Sequence, residues 1–155
     1  WRDYDQLLFE NITKDFVKKE FKHSIYASDI SATALLNAQT NARRALVFNK
    51  IKFQKSDFRD LNVGLKNGTI IMNPPYGERL KEKDLNDLYN MIGERLKHQF
   101  TGNRALILSS SVEAMKNIGL RPSKKTELYN GSLKCQYNLY ELFEGKRIDI
   151  NNKRD

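Results

Sequence analysis

The stretch "NGTIIMNPPYGERL", Asn67 to Leu80, decides how the rest of the chain is read. A short apolar run, Thr69-Ile70-Ile71-Met72, has the character of a buried strand. It ends on Asn73-Pro74-Pro75-Tyr76. Neither proline can donate a ladder hydrogen bond, so the strand must stop where the prolines begin. What then projects from its end is an amide, two rigid rings and a phenol, with Gly77 letting the backbone turn closely beside a ligand.

Outward from that strand the elements alternate. Asp5 to Phe21 places Leu8, Ile12, Phe16 and Val17 at helical spacing. "HSIYASD", His23 to Asp29, is a β-type run. Ser31 to Leu46 is Ala/Leu-rich and opens on Ser31, a good N-cap. A weaker strand starts at Ile51, a helix runs from Leu85 to Phe100, a buried-type strand starts at Arg104, and a short helix covers Val112 to Ile118. Asn130-Gly131 then signals a hairpin between two β-rich arms. Strands alternating with helices and closed by a hairpin predict an α/β fold, a mostly parallel sheet with a C-terminal antiparallel hairpin.

The chain has 155 residues, enough for one domain with a proper core. Its 27 Lys and Arg against 19 Asp and Glu leave a net charge of +8, dispersed in small clusters over the length. That excess suits a polyanionic partner through counterion release, and it equally suits a solvated surface. No apolar run approaches the ~20 residues of a membrane span, so no membrane partner is expected. The single cysteine, Cys135, excludes an internal disulfide and fits a reducing cytoplasm. Cys135 reads as a small buried apolar residue. His23 and His98 have no second ligand at metal spacing, so no metal site is expected. Ser109-Ser110-Ser111 lacks a partnered His and reads as a strand-to-helix cap.

In open α/β sheets ligands bind beyond the carboxyl ends of the strands. There stand Asp29, then Asp57-Phe58, then Asn73-Pro74-Pro75-Tyr76, then the serines. This constellation fits transfer of a methyl group to an exocyclic base amine. Such an amine is a poor nucleophile because its lone pair is delocalised into the ring. Two acceptors set against its N–H groups, the Asn73 side-chain carbonyl and the Pro74 backbone carbonyl, favour a more tetrahedral nitrogen and stabilise the transition state over the ground state. The Pro74-Pro75 rings hold these acceptors in place beforehand. Tyr76 supplies a flat face for an extruded base, worth ~1–3 kcal/mol. Trp1 reads as a packing residue, and Arg79 and Lys81 as candidates for phosphate contact or a solvated face.

"NPPYGERL" resembles the fourth motif of Rossmann-like, class I S-adenosylmethionine-dependent amino-methyltransferases. More narrowly, it is similar to the THUMP-containing RNA methylase family, whose members methylate guanine N2 of large-subunit (23S) ribosomal RNA. The pattern that opens "YASDIS" and runs over Tyr26–Asn41 looks like the family's second motif, with Asp29 at the cofactor ribose and Ile30 beside it in the cofactor site. "QKSDFRDL" at Gln54–Leu61 looks like the third, with Asp57 and Phe58 beside the adenine. "LYNGSLKCQYNLYEL" resembles the closing hairpin. The resemblance therefore implies S-adenosyl-L-methionine as cofactor, held by Asp29, Ile30, Asp57, Phe58 and Asn73. It implies catalysis at Asn73, Pro74, Pro75 and Tyr76, and substrate contacts at Tyr76, Gly77, Arg79 and Lys81.

The family's Gly-rich loop after its first strand has no counterpart. The glycines stand at 64, 68, 77, 93, 102, 119, 131 and 145, without G-x-G spacing. The resemblance thus implies that the first strand, the glycine loop and the THUMP domain lie upstream, with 1–148 a partial catalytic domain and 149–155 a frayed polar tail. Two alternatives stay open: a DNA adenine-N6 methyltransferase, since the same acceptors serve both amines, and a non-catalytic RNA-binding fragment.

Overall fold

The structure, a computed structural model, describes residues 2–14, 21–76 and 81–145. Trp1, Gly77, Arg79 and the tail expected at 149–155 lie outside the described residues. The elements run α1 (Gln6–Lys14), β1 (Ile25–Asp29), α2 (Ala32–Arg44), a 3-10 turn (Phe48–Lys50), β2 (Ile51–Lys55), β3 (Thr69–Met72), α3 (Glu82–Gln99), β4 (Arg104–Ser109), α4 (Val112–Lys116), β5 (Lys124–Asn130) and β6 (Leu133–Glu141). The strand before the two prolines ends at Met72, where the missing N–H donors forbid continuation.

The strands form two hydrogen-bonded sheets. β1 and β2 pair in parallel, with Ile25 opposite Ile51 and Asp29 opposite Lys55. The second sheet has the order β3-β4-β6-β5. In it β3 and β4 are parallel, while β6 runs antiparallel to both β4 and β5. The parallel strands and antiparallel hairpin expected from the pattern are both present. Their division into two sheets was not anticipated, because hydrophobic periodicity does not say which strands are neighbours.

Helix ends follow local chemistry. Ser31 caps α2, its Oγ accepting from Ala34 N at 3.2 Å, and Arg43 and Arg44 sit at the negative end of the dipole. The serine run does end in a cap: Ser111 Oγ accepts from Ala114 N at 3.2 Å and opens α4. Glu82 and Asp84 occupy the first turn of α3, again favourable to the dipole. The hairpin turn sits one residue later than the Asn130-Gly131 signal implied. Asn130 pairs with Leu133, leaving Gly131-Ser132 as the loop, and Gly131 takes the positive φ (63°) that a glycine-first two-residue turn uses.

The core lies in the second sheet. Leu85, Tyr89, Ile92 and Leu96 of α3 form one buried stripe at spacings of four, three and four residues. They pack on Ala105 and Ile107 of β4, on Tyr140 of β6, and on Ala114 and Met115 of α4. Gly93 allows α3 to approach α4 closely, since a Cβ there would stand 1.9 Å from the Ile118 carbonyl oxygen. At the end of this sheet opposite the proline motif, buried Asn103 ties loops together: its Oδ1 accepts from Gly68 N at 2.8 Å and its Nδ2 donates to Leu65 O at 3.0 Å. The loop after β2 joins the first sheet to this body. Phe58 stacks on Phe100 with centroids 5.6 Å apart, and Arg95 donates to the carbonyls of Phe58 and Leu61.

Candidate functional site

At the end of β3, Asn73 is exposed and its amide has no hydrogen-bond partner among the described residues. Pro74 is buried, Pro75 is exposed and Tyr76 is half-buried. The β3–β4 register, Met72 opposite Ile107, carries Asn73 and Pro74 to the level of Leu108 and Ser109. The motif therefore rests on the end of β4, with one proline anchored in the body and the amide carbonyl presented to solvent.

A buried hydroxyl pair supports that end. Tyr89 of α3 is fully buried and donates to Ser109 Oγ at 2.7 Å. Ser109 Oγ also accepts from Ser111 N at 3.1 Å, which fixes the turn out of β4. Burial pushes the Tyr89 phenol above its ordinary value near 10, so it remains a neutral donor. On β6, buried Asn138 donates through Nδ2 to Tyr140 Oη at 3.4 Å, and its Oδ1 has no partner among the described residues. Burial likewise raises the Tyr140 phenol.

The hairpin completes one side. Ser109, the last residue of β4, pairs with Gln136, so residues 130–135 run on past the end of β4. From that overhang Asn130 Nδ2 donates to Tyr76 Oη at 3.3 Å. Exposed Tyr129 and Lys134 flank it, both turned to Glu127: Tyr129 Oη at 3.4 Å and Lys134 Nζ at 2.7 Å.

The predicted cofactor side stands on the other sheet. Asp29 ends β1 and accepts from Ser31 N through Oδ1 at 2.7 Å, shaping the turn into α2. Its Oδ2 has no partner among the described residues, and Ile30 beside it is exposed. Asp57, on the neighbouring strand end, is more fully engaged. Its Oδ1 accepts from Arg59 N and its Oδ2 from Arg59 Nη1, each at 2.8 Å. The Arg59 backbone N–H, then the Arg59 charge, hold its carboxyl below the ordinary 3.8 against the opposing effect of burial. Phe58 gives one ring face to Phe100.

The structure thus brings Asp29 and Asp57 together on adjacent strand ends, and Asn73, Pro74 and Tyr76 together on the other sheet. Lys81, the exposed N-cap residue of α3, makes no side-chain cap bond. Gly77 and Arg79 fall outside the described residues. Among the described residues no three His, Cys, Asp or Glu side chains gather to hold a metal ion. Among the described residues no helix is long and apolar enough to cross a membrane. Cys135 is buried, and His98 pairs with Glu94 at 3.2 Å on α3. Sequence reasoning missed Asn130, Tyr89 and Asn138. Asn130 carried a turn signal, which says nothing of a partner 54 residues away.

Residues 4–138 match the family described as UPF0020, the RMKL-like methyltransferase domain. Over 149 residues the chain is 33% identical to the ribosomal RNA large subunit methyltransferase K/L of Shewanella amazonensis, covering 92% of this chain and 21% of that protein. The chain therefore spans about a fifth of the length of that curated relative. Among solved structures it resembles SMU.472 complexed with SAH (TM-score 0.78, 28% identity, 94% of this chain and 40% of that one). It also resembles a chain from Listeria monocytogenes described as a predicted N6-adenine-specific DNA methylase (TM-score 0.66, 28% identity, 76% of this chain and 30% of that one).

Proposed function

The chain belongs to the RMKL-like methyltransferase domain family, and from that premise we propose that it carries the methyl-acceptor side of an S-adenosylmethionine-dependent RNA methyltransferase, with guanine N2 of large-subunit ribosomal RNA as its target. The observation that carries this reading is Asn73: a solvent-facing amide without a partner among the described residues, at a strand end that a buried Pro74 anchors. Engaging that amide exchanges bonds to water and breaks no hydrogen bond to another described residue.

The acceptor side works through geometry. The Asn73 Oδ1 and the Pro74 carbonyl accept the two N–H groups of the base amine, drawing its lone pair out of conjugation as the nitrogen becomes tetrahedral. Tyr76 stacks on the extruded base and holds the amine against these acceptors, worth ~1–3 kcal/mol. Because the proline rings fix the turn, little reorganisation is required as charge develops. Lys81, Gly77 and Arg79 follow the motif and meet the phosphates beside the extruded nucleotide.

The residues on the first sheet fit the adenosine part of the cofactor. One carboxylate oxygen of Asp29 has no partner among the described residues, and a ribose diol offers hydroxyl donors for it. Asp57 has both oxygens on Arg59, so it lines the adenine side through its remaining lone pairs, with Ile30 and the edge of Phe58 as apolar neighbours. When bound, S-adenosylmethionine supplies an electrophilic methyl group on a sulfonium.

Tritiated-methyl transfer tests the reading, with this chain and an upstream-extended form offered undermethylated ribosomal RNA or unmethylated DNA. Label recovered as N2-methylguanine in RNA is expected. Asn73→Ala should lower the rate about 10²–10³-fold, the scale for loss of one preorganised transition-state partner. Adenine N6 in DNA is the second reading, favoured by the likeness to the Listeria chain. Label recovered as N6-methyladenine, with none in RNA, would replace the first reading by the second. An Asn73→Ala protein at wild-type rate would remove Asn73 from the chemistry.

A further inference from the structure

The β5–β6 hairpin is longer than the sheet needs. Pairing with β4 ends at Gln136, yet the two arms go on pairing with each other to Asn130 and Leu133. β3 and β4 are parallel, so this overhang lies on the same side as Asn73 and Tyr76. Its tip reaches the motif through the Asn130 Nδ2 to Tyr76 Oη hydrogen bond, 3.3 Å, across 54 residues of sequence.

Consider what this contact does to the Tyr76 ring. The chain end of the side chain follows Pro75, whose ring restricts the backbone. The far end is the hydroxyl, and Asn130 holds it. A ring tethered at both ends cannot swing freely, while its face keeps no hydrogen-bonding group that an incoming base would have to displace. Ordering a side chain on binding costs about 0.5–1.5 kcal/mol, and a tether formed beforehand removes part of that cost. Tyr76 Oη accepts from Asn130, so its own proton remains available to a ligand.

We propose that the overhanging hairpin is the outer wall of the acceptor site, and that Asn130 is a positioning residue which fixes the Tyr76 ring for an unstacked base of single-stranded RNA. This inference rests on the reading above that Tyr76 receives the base. Asn130 touches neither the amine nor the methyl group; it acts through Tyr76 alone. The neighbouring ion pair of Glu127 with Lys134 braces the two arms of the overhang, at 2.7 Å.

The test is a double-mutant cycle on the full chain, with binding of a fluorescein-labelled single-stranded RNA oligonucleotide followed by anisotropy. Tyr76→Ala should weaken binding about 5- to 150-fold, the range for one base–aromatic stack. Asn130→Ala and Tyr76→Phe should each weaken it about 2- to 10-fold, the range for one hydrogen bond. The double variant should bind no worse than either single one, because both remove the same tether. The Tm of Asn130→Ala should match wild type, which a merely structural role for the hairpin contact would not allow. Asn130→Ala at wild-type affinity, with Tyr76→Ala weakened, would overturn the inference and leave the acceptor-site reading standing. Additive losses in the double variant would also overturn it, since Asn130 would then act elsewhere. No detectable binding by the wild-type chain, or Tyr76→Ala at wild-type affinity, would overturn the stacking role of Tyr76 and the inference with it.

Discussion

The two sheets rest on very different foundations. Beneath β3, β4 and β6 lies a continuous buried cluster from Leu85 to Leu142, including the fully buried Tyr89 and Leu96. The unit of β1, α2 and β2 buries only Leu35 and Ala42 among the described residues, and Ile25 and Tyr26 stay exposed. A fully buried Leu or Ile contributes ~1.5–3 kcal/mol relative to exposure, so most of the packing energy sits on one side. That side is also the one with the proline motif. The difference teaches that Asn73 and Tyr76 stand on a rigid platform, whereas Asp29 and Asp57 stand on a thin one joined to it through Phe58 and Arg95.

The sharpest way to break this comparison is a matched pair of truncations. Leu96→Ala should cost about 2–5 kcal/mol, because it empties a site that neighbours on α3, β4 and β6 enclose. Leu35→Ala should fall at or below the low end of that range, since Leu35 is buried outside the large cluster. Urea denaturation of both variants, with hydrogen exchange read separately in β1 and β4, measures the contrast. Equal losses, or equal exchange protection in the two strands, would show that the units share one core.

Helix caps probe the same contrast at smaller scale. Ser31→Ala and Ser111→Ala remove chemically identical bonds, each worth about 0.5–2 kcal/mol. The first should appear as faster exchange confined to α2 and β1. The second should lower global stability, because α4 is packed into the cluster through Ala114 and Met115. Exchange that speeds up across both sheets after Ser31→Ala would contradict the division.

The smallest effect is a pH dependence on the thin side. The folded pKa of Asp57 lies below its ordinary value, so its contribution to stability is present above about pH 4 and is lost as pH falls through the folded pKa. The Tm advantage of wild type over Asp57→Asn should therefore be constant at neutral pH and shrink below pH 4. An advantage unchanged down to pH 2 would mean that the Arg59 contacts act through shape and not charge.

Much of the fold was legible because its signals are local. The strand at Thr69–Met72 was bounded by prolines that cannot donate, and Ser31 announced α2 by its side-chain chemistry. The helix expected at Leu85–Phe100 corresponds to α3, which begins three residues earlier at Glu82 and ends at Gln99 with Phe100 as its C-cap. The hairpin was legible as well, but its turn was misplaced by one residue because Asn-Gly and Gly-Ser both satisfy a two-residue loop. In the candidate site, the types of residue at each strand end could be read directly. Their engagement could not: Asp57 is committed to Arg59 while Asp29 has an oxygen without a partner among the described residues, and sequence spacing does not distinguish the two.

By itself the sequence determined where strands stop, which helices carry a buried stripe, and that an amide, two prolines and a phenol leave the end of one strand together. These follow from backbone donors, side-chain periodicity and ring rigidity, all of which act within a few residues. Tertiary structure alone decided that Tyr89 props the end of β4 and that Asn130 reaches Tyr76. Such contacts depend on which distant segments become neighbours, and that is settled by burial of the whole apolar set, not by any stretch of it.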